Sequence, residues 1–185
     1  MDQRGWVPAT AGNISRRLAD GRIALTRSGG HKGFLTRDSV IEVGLDGRAI
    51  RATDRPSAET LLHCQIYGAV PSAMAVLHGH SVAATVLSMI DPAAQLEFAG
   101  YELLKAFEGQ ISHDVRLSLP ILDNDQDIAR LCVAVAPLLP SMAMGYVIRG
   151  HGVYVWGPSM DHALARLEGL EFLLACALER RKLHS

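Results

Sequence analysis

Two stretches of the chain, 64–90 and 131–148, contain no aspartate, glutamate, lysine or arginine. Segments so free of charge belong inside a folded core or inside a membrane. The first is interrupted by Gln65, Pro71, His78 and His80, the second by Pro137, Pro140, Ser141 and Gly145. Neither supplies the roughly 20 unbroken apolar residues that a bilayer span requires. Membrane helices are therefore rejected, and both stretches are read as buried elements joined by tight turns. The 185 residues suit one domain, 1–185. A chain of that length buries roughly two-thirds or more of its unfolded surface without disulfide staples.

Composition removes several function classes. Hydrophobic residues at 49% and charged residues at 20% exclude a disordered or low-complexity chain. Lysine and arginine number 18 against 19 aspartates and glutamates. With no basic surplus and only 5% aromatic residues, nucleic acid is not an expected partner. Three cysteines, an odd count with no CxxC spacing, read as reduced thiols in a cytoplasmic protein. The first residues, MDQRGWVPATAG, lack the apolar centre of a secretory leader.

The pattern of elements mixes strands and helices. Strands are expected at 22–26 and 40–45, with Asp46-Gly47 turning the chain into 48–51. A helix is expected from Ser57, as its N-cap, to about residue 68, with Glu59 in its first turn. A buried strand at 73–77 ends at His78, and a helix follows over 81–90. Further helices are expected at 101–107, 125–139 and from about 159 to 182, with strands at 115–122, 146–149 and 153–156. In the last helix Leu164, Leu167, Leu170, Leu174 and Leu178 keep helical spacing. The early hairpin argues against a purely parallel sheet, so the expected architecture is one sheet with helices on both faces.

The chemistry concentrates at the ends of apolar runs. In His78-Gly79-His80 an extended backbone points both imidazoles to one side. His151, between Gly150 and Gly152, ends another run. Three histidines from two strand ends compose a zinc site with an open position. The plainer alternative is three unrelated core or surface histidines, which is how His31, His63, His113, His162 and His184 are read. Glu59 and Glu102 are the carboxylates available as base, and spacing alone does not choose between them. The loop Ser28-Gly29-Gly30-His31-Lys32-Gly33 suits an anion, through exposed N–H groups and Lys32, or is a plain hairpin loop. Gly12-Asn13 and the helix start at Ser57 are further anion positions.

Five segments occur in order: GWVPATAGNIS from Gly5, TRSG from Thr26, PSAE from Pro56, HGHS from His78 and RGHGVYVWG from Arg149. In this respect the chain resembles the class II aldolase/adducin family over nearly its whole length. GWVPATAGN, SGGHKG and RGHGVYVWG are most similar to its ketose-phosphate dehydratases. The resemblance implies a three-layer α/β/α sandwich with a central, largely antiparallel sheet. It implies one zinc ion per chain on His78, His80 and His151, and a substrate phosphate on Asn13, Ser28, Gly29 and Ser57. Glu59 matches the catalytic glutamate of the family's aldolases, and Glu102 the acid/base glutamate of its dehydratases. Ala58 stands where many of those aldolases carry a serine. Similar chains carry a further N-terminal helix before GWVPAT, whereas four residues precede Gly5 here. The expected activity is a metal-dependent lyase on a phosphorylated ketose in a homotetramer, by dehydration or alternatively by aldol cleavage or epimerisation. A non-catalytic module of the adducin kind is the remaining class, and it has no need of three ligands and two glutamates.

Overall fold

The computed structural model describes residues 1–183; His184 lies outside them. Eight strands form one mixed sheet: β1 Asn13–Arg17, β2 Ile23–Thr26, β3 Val40–Val43, β4 Ala75–Gly79, β5 Gln95–Ala99, β6 Arg116–Leu122, β7 Tyr146–Ile148 and β8 Gly152–Gly157. Their order is β3-β2-β1-β4-β8-β7-β6-β5. Only β6 and β7 run parallel, so the sheet is largely antiparallel. Four α-helices cover it: α1 Thr60–Ala69, α2 Val82–Ile90, α3 Ile128–Val135 and α4 Met160–Leu183.

The central strands are buried on both sides, which explains the long charge-free stretches. Along β8, Val153 and Val155 join one core while Tyr154 and Trp156 join the other. The first core packs against α2 and α4, where Leu167, Leu170 and Leu174 are fully buried. Each contributes about 1.5–3 kcal/mol by leaving water. The second packs against α1 and α3, through Leu62, Ile66, Leu131 and Val135. Two cores on opposite faces of one sheet make the expected three layers. Cys64, Cys132 and Cys176 are all free. Among the described residues, no helix is long and apolar enough to cross a membrane.

Local chemistry shifts several element ends. Helix α1 starts at Thr60 rather than at Ser57, and Glu59 occupies its N-cap position without a side-chain cap. Ser57 Oγ instead accepts a 3.4 Å hydrogen bond from the Glu59 N–H. The helix expected over 125–139 is only α3, capped by Asp127, whose carboxylate accepts from the Arg130 N–H. Pro137 lacks the N–H needed to extend it. The segment at 101–107 is a short 3-10 helix, Glu102–Ala106. Residues 48–51 pair with β3 only through an isolated Val43–Ala49 bridge.

Candidate metal and phosphate site

His78 is the penultimate residue of strand β4, and its imidazole faces the α1 side of the sheet. Its Nδ1 lies 2.9 Å from the Val153 carbonyl on β8, which accepts that nitrogen's proton. The bond fixes the tautomer and turns Nε2 outward with its lone pair available. The ring is also stacked, 4.0 Å between centroids and 15° between planes, on Tyr154, its partner across the β4–β8 ladder. Tyr154 stacks in turn on Tyr146 at 4.9 Å. The wholly buried row His78, Tyr154, Tyr146 therefore holds the imidazole plane from beneath.

His80 follows two residues later on the same side, its ring 4.5 Å from that of His78. His151 arrives from the β7–β8 turn, 5.1 Å from the His78 ring and 4.6 Å from the His80 ring. The turn needs glycine after it: a Cβ on Gly152 would stand 2.2 Å from the Gly79 carbonyl oxygen. Arg149 anchors the turn, donating to the carbonyls of Ser88 and Asp91 at the end of α2 and to Asp123.

Glu59 completes the cluster. Its Oε1 lies 2.9 Å from His151 Nε2 and 3.6 Å from His78 Nε2. Burial opposes its ionisation, but the facing imidazoles of His151 and His78 override burial and hold the carboxyl far below the usual range. Burial, the largest cause, pushes His80 down to about 3, so its ring stays neutral. The three imidazoles and the carboxylate place one ligand atom each within 4.8 Å of one another. His78 Nε2 and His80 Nε2 are buried with no protein partner. An ionised carboxylate among converging, unpartnered ring nitrogens is a donor set that fits a divalent cation.

The expected phosphate residues open onto the same place. Asn13, Ser28, Gly29 and Ser57 line a cavity of about 380 Å³ together with Glu59, His80 and His151. Asn13 heads β1 opposite His78. Its amide donates to Glu59 Oε2 and reaches Ser57 Oγ at 3.5 Å. Ser57 Oγ thus receives protons from two sides, and its own hydroxyl proton remains to donate into the cavity. Asn124, Asp125 and Gln126 form part of the wall; nothing in their composition marked them beforehand, because a loop is placed on a site only by the fold.

Glu102 is elsewhere. It does not line this cavity. Its side chain is 70% exposed, with Oε1 accepting from Lys105 Nζ at 2.6 Å and Oε2 lying 3.8 Å from His113 Nδ1. Of the residues singled out in the sequence, it is the one that the chain does not bring to the cluster.

Similar sequences and the same fold recur in known proteins. Residues 1–178 match the family model described as class II aldolase and adducin N-terminal domain. The methylthioribulose-1-phosphate dehydratase of Gluconacetobacter diazotrophicus is 72% identical over 182 residues, 98% of this chain and 89% of the relative. Its namesake from Gluconobacter oxydans is 67% identical over 97% of this chain and 86% of the relative. Among solved structures, the l-fuculose-1-phosphate aldolase of Thermus thermophilus superposes with a TM-score of 0.79 at 25% identity, over 99% of this chain and 90% of that one. A sugar-phosphate aldolase from Thermotoga maritima, at 16% identity and a TM-score of 0.71, shares the fold over 100% of this chain and 91% of that one. Sequence and fold agree, and the chain belongs to the class II aldolase and adducin family.

Proposed function

We propose that the protein is a hydro-lyase that dehydrates 5-methylthioribulose 1-phosphate to 2,3-diketo-5-methylthiopentyl 1-phosphate, a step of methionine salvage in the cytoplasm. The observation that carries this reading is 72% identity to a methylthioribulose-1-phosphate dehydratase over 98% of the chain, with a metal-type donor cluster in place. We assign the metal as one zinc ion per chain on His78, His80 and His151. When bound, zinc supplies Lewis acidity that favours enolisation of a ketose carbonyl.

The protein's own residues do the remaining work. The Ser28–Gly29 backbone and the Ser57 hydroxyl hold the phosphate, with Asn13 setting the position of Ser57. Val153 and Tyr154 hold the His78 ring in place. Glu59 is bound by Asn13 and His151, and it orients the cluster. Glu102 takes the proton from C3 and helps deliver one to the departing C4 hydroxyl. Loss of water leaves an enol, which tautomerises to the diketone. Because Glu102 is exposed and outside its own cavity, it acts on the site of a neighbouring copy within a homotetramer.

Product analysis tests the reaction. The zinc-loaded protein given 5-methylthioribulose 1-phosphate should yield the 2,3-diketone phosphate, detected by ¹³C NMR, and no dihydroxyacetone phosphate or (methylthio)acetaldehyde. If that ketose is untouched while fuculose or rhamnulose 1-phosphate is cleaved, the protein is an aldolase of the same family.

A further inference from the structure

Among the described residues that line the site cavity, Lys32 is the only lysine or arginine. Its residue surface is 7% exposed, an unusual position for an ammonium group. Nζ donates to the Thr10 carbonyl at 2.8 Å and to the Gly30 carbonyl at 2.8 Å. Those carbonyls belong to the two loops that frame the expected phosphate position, one leading into Asn13 and the other following Ser28. An ammonium has three protons, so one is left over. Among the described residues no carboxylate lies within 4 Å of Nζ, so its partners are dipoles and not a counter-charge. Burial pulls its proton affinity down, and the charge of Glu59 across the cavity partly restores it. The electrostatic reach of Lys32 extends to His80 as well.

A buried cation held only by neutral carbonyls is costly until an anion joins it. The other donors at the cavity's phosphate end are hydroxyls and backbone N–H groups, which bring no formal charge to meet a dianion. We infer that Lys32 is the counter-charge of the substrate phosphate and the residue that makes this site prefer a phosphorylated ketose to the same ketose with a free hydroxyl. The inference rests on the phosphate-ester substrate proposed above. The plainer role of Lys32 is a latch between the two loops, and the two roles part on one measurement. A latch positions everything in the cavity, whereas a counter-charge matters only to the phosphate.

The test compares wild type, Lys32→Met and Lys32→Arg, all zinc-loaded, on 5-methylthioribulose 1-phosphate and on unphosphorylated 5-methylthioribulose as substrate or competitive inhibitor. A charge-assisted hydrogen bond predicts a roughly 10- to 100-fold loss of kcat/KM on the phosphate ester in Lys32→Met, carried by KM. The unphosphorylated ketose should change less than threefold, and Lys32→Arg should recover part of the loss. Equal losses on both compounds would overturn the counter-charge role. A second readout needs no turnover. In the wild-type protein labelled with ¹⁵N lysine, inorganic phosphate should shift one Nζ signal, absent from the Lys32→Arg spectrum. Saturable phosphate binding at the site that leaves that signal in place would also overturn the inference. Wild type inert toward the methylthio substrate but binding phosphate through Lys32 would count against the proposed reaction alone.

Discussion

Glu59 carries its charge inside a ring of imidazoles, whereas Glu102 carries its own in water beside Lys105. The two carboxylates therefore fail differently when neutralised. Glu102→Gln should lower turnover about 10²–10⁴-fold, the usual worth of a positioned acid/base group, with zinc content and substrate binding intact. Glu59→Gln should cost less in turnover once the site is saturated with metal. Its mark should be weaker metal retention, read by elemental analysis after dialysis, because it removes the charge that meets the cluster. If Glu102→Gln keeps near-full activity, the proton route is wrong even with the substrate right. At this scale the histidines were legible, since HxH in an extended run converges by geometry alone. The assignment of Asn13 was legible only in part: its amide is engaged by Glu59, a contact across 46 positions that no local pattern encodes.

Helix α4 buries a carboxylate as well as its leucines. Glu171 is 4% exposed, and its Oε1 has no partner. Burial pushes its carboxyl up to about 7, against 4.5 in water, with Ser81 at the start of α2 pulling it back only partly. Between these values the folded protein keeps a proton that the unfolded chain releases. Stability associated with Glu171 is thus full below pH 4.5 and is lost as pH rises through 7. Glu171→Gln should be more stable than wild type at pH 8 by about 1–3 kcal/mol and no more stable at pH 4.5. Urea denaturation at matched protein concentration measures this, and an unchanged difference between the two pH values would refute it. The elements themselves were legible where apolar periodicity is strong, as in α4, or where a buried run is bounded by turns, as in β4 and β8. Strand β1, NISRR, escaped because its inward residues are Asn13 and Ser15, buried to meet Glu59, His63 and Tyr67. Strand β5, QLEFA, alternates cleanly between exposed and buried and was available to a reading by twos.

For the whole molecule, the position of Glu102 has a consequence for assembly. A homotetramer of this 20.0 kDa chain should sediment near 80 kDa, and a 20 kDa species at micromolar concentration would contradict it. Apolar side chains remain uncovered on the surface, among them Ile111 at 92% and Val82 at 73% exposure. Complementation gives a sharper check. Co-assembled Glu102→Gln and His80→Ala subunits should regain activity that neither homo-oligomer has, because some sites then combine an intact cluster with a neighbour's intact glutamate. Zero recovery in verified mixed oligomers would place Glu102 outside the reaction. What the sequence determined by itself was the chemistry available and the layers that carry it. Charge-free runs punctuated by proline and glycine specify buried strands, and histidines at their ends specify a donor cluster, because both follow from periods of a few residues. What only the tertiary structure decided was which charges share a cavity. Lys32, Asn13 and Glu59 lie far apart along the chain and meet where β1, the 28–33 loop and α1 converge on β4. Glu102, by local sequence an equal candidate, is left on the surface. Burial and long-range proximity set the energy of a charge, and neither quantity is encoded within one turn of helix or one pair of strands.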